Sequence, residues 1–174
     1  MTIQSPMTTE FWLRGAVECV PPLLMPVAHA LLQSQADLHQ AVGTMSSEDL
    51  WQRPGSAASV GFHLRHIAGS LDRLFTYARG ESLDSDQIAA ISEETHSGIP
   101  PATAEDLLAL VDGAIDAAMG ILISMPEGEL LTPRAVGRAQ LASNVLGLVF
   151  HAAEHTQRHT GQVIATSKIM RVAG

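Results

Sequence analysis

The sequence predicts an all-α protein, a four-helix bundle with long connections, and three observations support this. Hydrophobic residues make up 46% of the 174 residues but aromatic residues only 4%, so the apolar content comes mainly from helix-forming types. Apolar residues recur at helical spacing in four long segments. The segments are separated by long connections, which leave their order in space open and permit a crossover.

The first two helices are bounded by residues that begin or end helices. We expect the first helix over residues 23–42, because prolines precede it and Gly43 follows it. The second is expected over residues 58–79, with Gly80 placed to adopt the left-handed conformation of a C-terminal cap. Between them, Ser46 and the acidic residues that follow predict a short capped helical turn.

The second half of the chain contains the other two long helices. Residues 81–102 are polar and predict a long connection with a weak helix near 85–94. Thr103 can cap a third helix that ends near Ser124. A region rich in proline and glycine then predicts an irregular connection, followed by a fourth helix over 141–167.

Composition narrows the possible partners. The formal net charge of −8 opposes binding to phosphate backbones, so we expect no nucleic-acid partner. The single Cys19 excludes an intramolecular disulfide, and any metal must be held by histidines or carboxylates.

No signal peptide is recognised, and proline, glycine or polar residues break the apolar stretches, so we expect a cytoplasmic protein without a membrane partner. The length predicts one domain over 1–174, with its core at about 22–167.

The histidines are the main functional signal. Five of the eight fall in the second and fourth predicted helices: His63, His66, His151, His155 and His159. Residues four apart lie on nearly the same helix face, so His155 and His159 can direct two imidazoles to one point. A third histidine from the other helix would complete the set of three nitrogens found in catalytic zinc sites, with a position left for water or substrate.

The spacing alone does not say which histidines bind. His151, His155 and His159 are each four apart, but the helix face drifts by roughly 40° at each step, so they cannot all converge equally well on one ion. His63 and His66 are one turn apart, and either can point inward. The ordinary alternative is that these histidines are surface or hydrogen-bonded core residues.

A second motif points to a different chemistry. Residues 151–155 read His-Ala-Ala-Glu-His, which matches the inverted zinc-peptidase pattern with Glu154 as the general base. Those enzymes also need a carboxylate ligand downstream, and the sequence has no Asp or Glu after Glu154. We therefore disfavour the peptidase interpretation.

Two stretches resemble a known family. Residues 61–70, Gly-Phe-His-Leu-Arg-His-Ile-Ala-Gly-Ser, together with 155–162, His-Thr-Gln-Arg-His-Thr-Gly-Gln, are similar to the DinB-like superfamily. The resemblance extends from about Pro22 to Ile164. It implies a metal-binding four-helix bundle in which His66, His155 and His159 hold a divalent ion, nickel or zinc.

The resemblance also implies possible activities. Some relatives transfer or isomerise with a low-molecular-weight thiol such as bacillithiol or mycothiol, and others are described as hydrolases. It further implies a homodimer. His63 and His151 add to the plain family pattern, and we expect both to contact the ligand side chains rather than the ion.

Three more polar residues are candidates for the surroundings of the metal. Ser70 and Arg73 lie four and seven residues after His66, hence on the same helix face, and Gln162 lies three after His159. Each also has an ordinary interpretation: Arg73 can pair with an acidic residue, Gln162 can hydrogen-bond across the bundle, and Ser70 can relieve crowding.

Two functions from different classes follow. The first is a metal-dependent enzyme that acts on a small-molecule substrate, by thiol S-transfer or by hydrolysis, with the thiol as a possible cosubstrate. The alternative is a non-catalytic bundle with a structural or sensory metal. An open coordination position favours the enzyme, whereas a fourth protein ligand or a sealed site favours the alternative.

Overall fold

A computed structural model describes residues 9–173 and contains, within them, six α-helices and one β-hairpin. The helices are α1 (Met25–Val42), α2 (Ser47–Trp51), α3 (Val60–Ala78), α4 (Ser85–Glu93), α5 (Ala104–Ser124) and α6 (Val145–Ala173). The strands are β1 (Pro133–Val136) and β2 (Leu141–Asn144). Four of the helices are long, so the prediction of an all-α bundle is confirmed apart from the small hairpin.

The four long helices form a bundle in which two of the three consecutive pairs, α1 with α3 and α5 with α6, are not neighbours in space. Helix α6 packs against α3 and α1, and α5 packs against the same two helices. Consequently α1 and α3 occupy opposite corners, as do α5 and α6. This is the crossover that the long connections permit.

The core consists of apolar stripes on the four long helices. On α3 the stripe contains Leu64, Ile67, Leu71 and Phe75, all buried. Their spacing of three or four residues places them on one face, so the sequence pattern is itself the packing surface. Burying each such side chain contributes about 1.5–3 kcal/mol.

Capping residues fix where the helices begin and end, largely as predicted. The side chains of Ser46 and Ser59 accept hydrogen bonds from backbone N–H groups of α2 and α3. Thr103 caps α5 in a capping box with Asp106. Gly80 follows α3 with φ of +82°, the left-handed conformation expected there.

The predicted start of the fourth helix is wrong. Residues 141–144 form β2, which pairs antiparallel with β1, and α6 begins only at Val145 and runs to Ala173. Gly137 and Gln140, both with positive φ, turn the chain between the strands. The side chain of Asn144 accepts a hydrogen bond from the Gly147 N–H and begins the helix. Strands of four residues carry too little pattern to stand out from the connection.

Helix α5 is long and apolar enough to cross a membrane by length and composition alone. The sequence leads us to expect proline, glycine or polar residues to break the apolar stretches, and Asp112 and Asp116 do interrupt this one, although Gly113 and Gly120 lie within one continuous helix. Its inner side, including Ile115 and Leu122, is fully buried in the bundle core. Core helices of soluble proteins pass the same test of length and composition.

Two isoleucines of α5 provide a matched test of this packing. Ile115 is fully buried, whereas Ile123 is 45% exposed. We expect Ile115→Ala to lower the free energy of unfolding by about 2–5 kcal/mol, because it leaves a cavity in the core. Ile123→Ala should change it by no more than about 0.5 kcal/mol. Urea denaturation of both variants measures this, and equal losses would contradict the orientation of α5.

Candidate metal centre

Three histidines meet where α3 packs against α6. His66 lies on α3, and His155 and His159 lie one turn apart on α6. Each offers one ring nitrogen such that the three atoms lie within 4.8 Å of one another, a group able to hold a metal ion. Nε2 of His66 is 2.9 Å from Nε2 of His155. The ring of His159 lies 4.5 Å, centroid to centroid, from each of the other two.

Burial keeps the imidazoles of α6 in the form that binds metals. It lowers the pKa of His159 to about 4, with a further lowering from the nearby charge of His66. Burial also lowers the pKa of His155, again helped by His66. Both rings are therefore neutral at pH 7, and a neutral imidazole has the lone pair that a metal requires.

A buried carboxylate that the sequence did not point to holds the third ring. Glu94 directly follows α4 and is 6% exposed. Its Oε2 accepts a hydrogen bond of 2.7 Å from Nδ1 of His66, and its Oε1 accepts one of 2.8 Å from the guanidinium of Arg73. With Nδ1 donating to Glu94, Nε2 is the nitrogen of His66 that faces the site, and it presents a lone pair there in the neutral ring. Carboxylates that orient ligand histidines in this way are typical of metal sites.

The charge state of Glu94 suits this role. Burial raises the pKa of its carboxyl group, but the hydrogen bonds from His66 and Arg73 lower it, and the net pKa is lowered. Glu94 is therefore ionised at pH 7 and accepts both hydrogen bonds as a carboxylate.

Gly69 makes room for this arrangement on α3. A Cβ at this position would lie 2.7 Å from Nη1 of Arg73 and 2.9 Å from Oε1 of Glu94. Helix α4 is held against α3 from its other end, where the side chain of Gln87 donates to Asp72 and Thr76 at 2.8 Å each. A glycine on α3 and a tethered α4 together bring Glu94 to His66.

The contacts of the cluster suit a cation. Nε2 of His66 and Nε2 of His155 lie 2.9 Å apart, so only one of them carries a hydrogen in this contact and the other presents a lone pair. Nδ1 of His155 is buried without a hydrogen-bond partner among the described residues. An unsatisfied buried group costs about 1–3 kcal/mol. A donor set of three nitrogens is one that zinc and nickel accept, at about 2.0–2.1 Å for zinc.

The two additional histidines have different surroundings. His63 is buried, its Nδ1 lies 2.9 Å from Nδ1 of His159, and burial lowers its pKa to about 4. This contact leaves Nε2 of His159 free to face the cluster. His151 is exposed, and its Nδ1 forms a hydrogen bond of 3.0 Å with Glu154. Its ring is 5.5 Å from that of His155, so His151 flanks the site rather than supporting a ligand directly.

The remaining candidates divide in the same way. Arg73 reaches the site through Glu94, as the pairing with an acidic residue anticipated. Ser70 donates its hydroxyl hydrogen to the Ile67 carbonyl of its own helix, and Gln162 is exposed. Within the described residues, neither of these two forms a hydrogen bond with the three histidines. Glu154 pairs with Arg158 at 2.6 Å, which does not suit a general base.

Comparison with known proteins places this geometry in context. A family model described as the DinB superfamily matches residues 30–163, more than half of the chain. A search of curated proteins finds no sequence that matches.

Two solved structures share the fold. A conserved protein from Enterococcus faecalis is 14% identical, with a TM-score of 0.64 over 84% of this chain and 96% of that one. YfiT from Bacillus subtilis is 16% identical, with a TM-score of 0.62 over 83% of this chain and 86% of that one. YfiT is described as a probable metal-dependent hydrolase with an unusual four-helix bundle topology.

We expect His66→Ala, His155→Ala and His159→Ala each to remove most of the bound metal, because two imidazoles hold an ion much less tightly than three. The measurement is metal content per chain after equilibration with zinc or nickel. His29→Ala, His39→Ala and His96→Ala are matched controls, since these rings bond the Gly15 carbonyl, Asp112 and Glu93 instead. Full occupancy in His155→Ala would show that the ligands lie elsewhere.

A second prediction separates Glu94 from its neighbour in sequence. Glu94→Gln should weaken metal binding by about 10–100-fold, because an amide holds the Nδ1 hydrogen of His66 less strongly than a carboxylate does. Glu93→Gln is the matched control, because Glu93 is exposed and its carboxylate pairs with His96 at 3.2 Å. Competition with a chromophoric chelator gives both affinities. Equal affinities would refute the role assigned to Glu94.

Proposed function

The chain belongs to the DinB superfamily, and on this premise we propose that it holds a divalent metal ion with His66, His155 and His159 and hydrolyses a small molecule there. The observation that carries the proposal is the donor set itself. Three imidazoles converge, and the described residues add no carboxylate or thiol to the group. Such a set leaves coordination positions open, which distinguishes catalytic from structural zinc sites.

The chemistry of the site divides between the ion and the chain. When bound, a divalent ion with three neutral ligands supplies Lewis acidity, which polarises a carbonyl or phosphoryl oxygen and lowers the pKa of water. The chain orients the ligands: Glu94 retains the hydrogen on Nδ1 of His66, and Arg73 holds Glu94. His63 holds the ring of His159 through the contact between their Nδ1 atoms. All of these contacts preorganise the nitrogens before a substrate arrives.

Hydrolysis is preferred for a reason outside the site. The similar structure YfiT is described as a probable metal-dependent hydrolase. At 16% identity this likeness shows the fold alone, so the activity is carried by the agreement between that description and the open three-histidine set. Zinc or nickel is the proposed ion because both accept imidazole nitrogens.

The other expectations from the sequence stay predictions. These are a low-molecular-weight thiol as cosubstrate, a homodimer and a cytoplasmic location. A thiol-dependent transfer would use the same open position, because a thiolate also compensates the charge that three neutral ligands leave. The absorption of the cobalt(II)-loaded protein and the dependence of turnover on a thiol distinguish this reaction from hydrolysis.

We expect cobalt(II)-loaded protein to change its visible absorption when acetate or inorganic phosphate is added, because an anion can enter an open coordination position. The zinc-loaded protein should hydrolyse members of a panel of aryl esters, lactones and amides. His155→Ala should lose this activity, and His151→Ala, on the same helix but exposed, should retain it.

Three outcomes decide between the functions. A spectrum indifferent to every added anion would indicate a structural or sensory metal. A thiolate-to-cobalt band with cysteine or glutathione, together with turnover only when a thiol is present, would indicate S-transfer instead. Hydrolysis that persists after chelation of the metal would contradict the proposal.

A further inference from the structure

A second site lies on the other side of Glu94 from the histidines. A cavity of about 540 Å³ opens between α3, α4 and α5. This volume falls within the range of small-molecule sites, about 300–1,000 Å³. The walls are mostly apolar, with Leu71 and Phe75 on α3 and a row of small residues around Gly113 on α5. None of the three histidines of the metal centre lines this cavity.

One half-buried charged side chain in the wall has a buried donor with no acceptor among the described residues. Arg65 lines the cavity, and its Nε is buried without a hydrogen-bond partner. Its guanidinium lies 5.5 Å from the ring centroid of Trp51, a contact that neutralises no charge. A buried N–H donor of a cation that has no acceptor is costly, and an anionic ligand is the strongest acceptor available to it.

The other charged groups of the wall are already paired or exposed. Glu94 is held by Arg73 and His66. Asp72 accepts a hydrogen bond from Gln87 at the surface, and Glu93 pairs with His96. Arg79, at the rim, pairs with Glu81. Charges at the surface are screened by water, so the Nε–H of Arg65 is the charged donor of this wall that is buried without an acceptor among the described residues.

We propose that this cavity binds a small apolar carboxylic acid, whose hydrocarbon body lies between α3 and α5 and whose carboxylate pairs with Arg65. A carboxylate matches the planar guanidinium, and an aliphatic body matches the Leu71, Phe75 and Gly113 walls. The binding needs no metal, so it stands independently of the proposed hydrolase activity.

Two glycines of α5 allow a matched test. A Cβ at Gly113 or at Gly120 would meet nothing within 4 Å, but only Gly113 lines the cavity. Gly113→Leu should fill the cavity and abolish binding, whereas Gly120→Leu should leave binding unchanged. Both substitutions replace a helical glycine, so both gain similar helix propensity.

The measurement is equilibrium dialysis of metal-free protein against decanoate, with 1-decanol and decylammonium as matched ligands. We expect one decanoate per chain, binding at least tenfold weaker for decanol and for Arg65→Gln, and none for decylammonium. Arg138→Gln, an exposed arginine outside the cavity, should bind decanoate as the unchanged protein does.

Several results would overturn the proposal. These are the absence of saturable decanoate binding, equal loss in Gly113→Leu and Gly120→Leu, or equal affinity for decanoate and decanol. Sedimentation tests one further outcome. If the protein is a dimer that Gly113→Leu dissociates and that decanoate does not affect, a second copy of the chain covers the cavity and the proposal is wrong. Circular dichroism checks that each variant is folded.

Discussion

The arrangement of the candidate centre depends on one buried carboxylate. Removing the Glu94 carboxylate from water costs several kcal/mol, and only the charged hydrogen bonds with Arg73 and His66 offset that cost. The same contacts fix the proton of His66 on Nδ1, and so decide which nitrogen faces the cluster. The space for them exists because residue 69 has no side chain. The connection between α3 and α5, which looks like a solvated linker in the sequence, thus holds the ring of His66 in place through Glu94.

Burial leaves Glu94 charged but keeps His155 and His159 neutral. Placing His155 and His159 between two packed helices makes the imidazolium forms unfavourable, so the rings remain neutral and repel one another less than charged rings would. Neutral rings can share a hydrogen, as between Nε2 of His66 and Nε2 of His155 at 2.9 Å. The same nitrogens offer lone pairs to a cation when that hydrogen is displaced. The helix packing that buries the rings therefore also favours the neutral form that metal binding requires.

The sequence predicted what depends on local pattern. Helical periodicity gave the four long helices, and Thr103 and Gly80 marked two of their ends because caps act on the nearest residues. The spacing of His155 and His159 placed both on one face of α6. Glu94 was missed because nothing local distinguishes it from the acidic residues beside it, and only the docking of α4 brings it to α3. The hairpin was missed for the same reason, since Arg134 fixes it to the Ala78 carbonyl at the far end of another helix.

Helix packing determines which of the histidine rings meet, a question that their spacing left open. Across the α3–α6 interface, His66 faces His155 and His63 faces His159, so the four rings form two contacts one turn apart. The first contact joins Nε2 atoms, whereas the second uses Nδ1 of His159 and leaves its Nε2 outside the contact. His63 is thereby placed behind His159, and His151, one turn before His155 on α6, has no ring of α3 opposite it. The rings of His66, His155 and His159 therefore form the group of three, with His63 behind His159 and His151 beside His155.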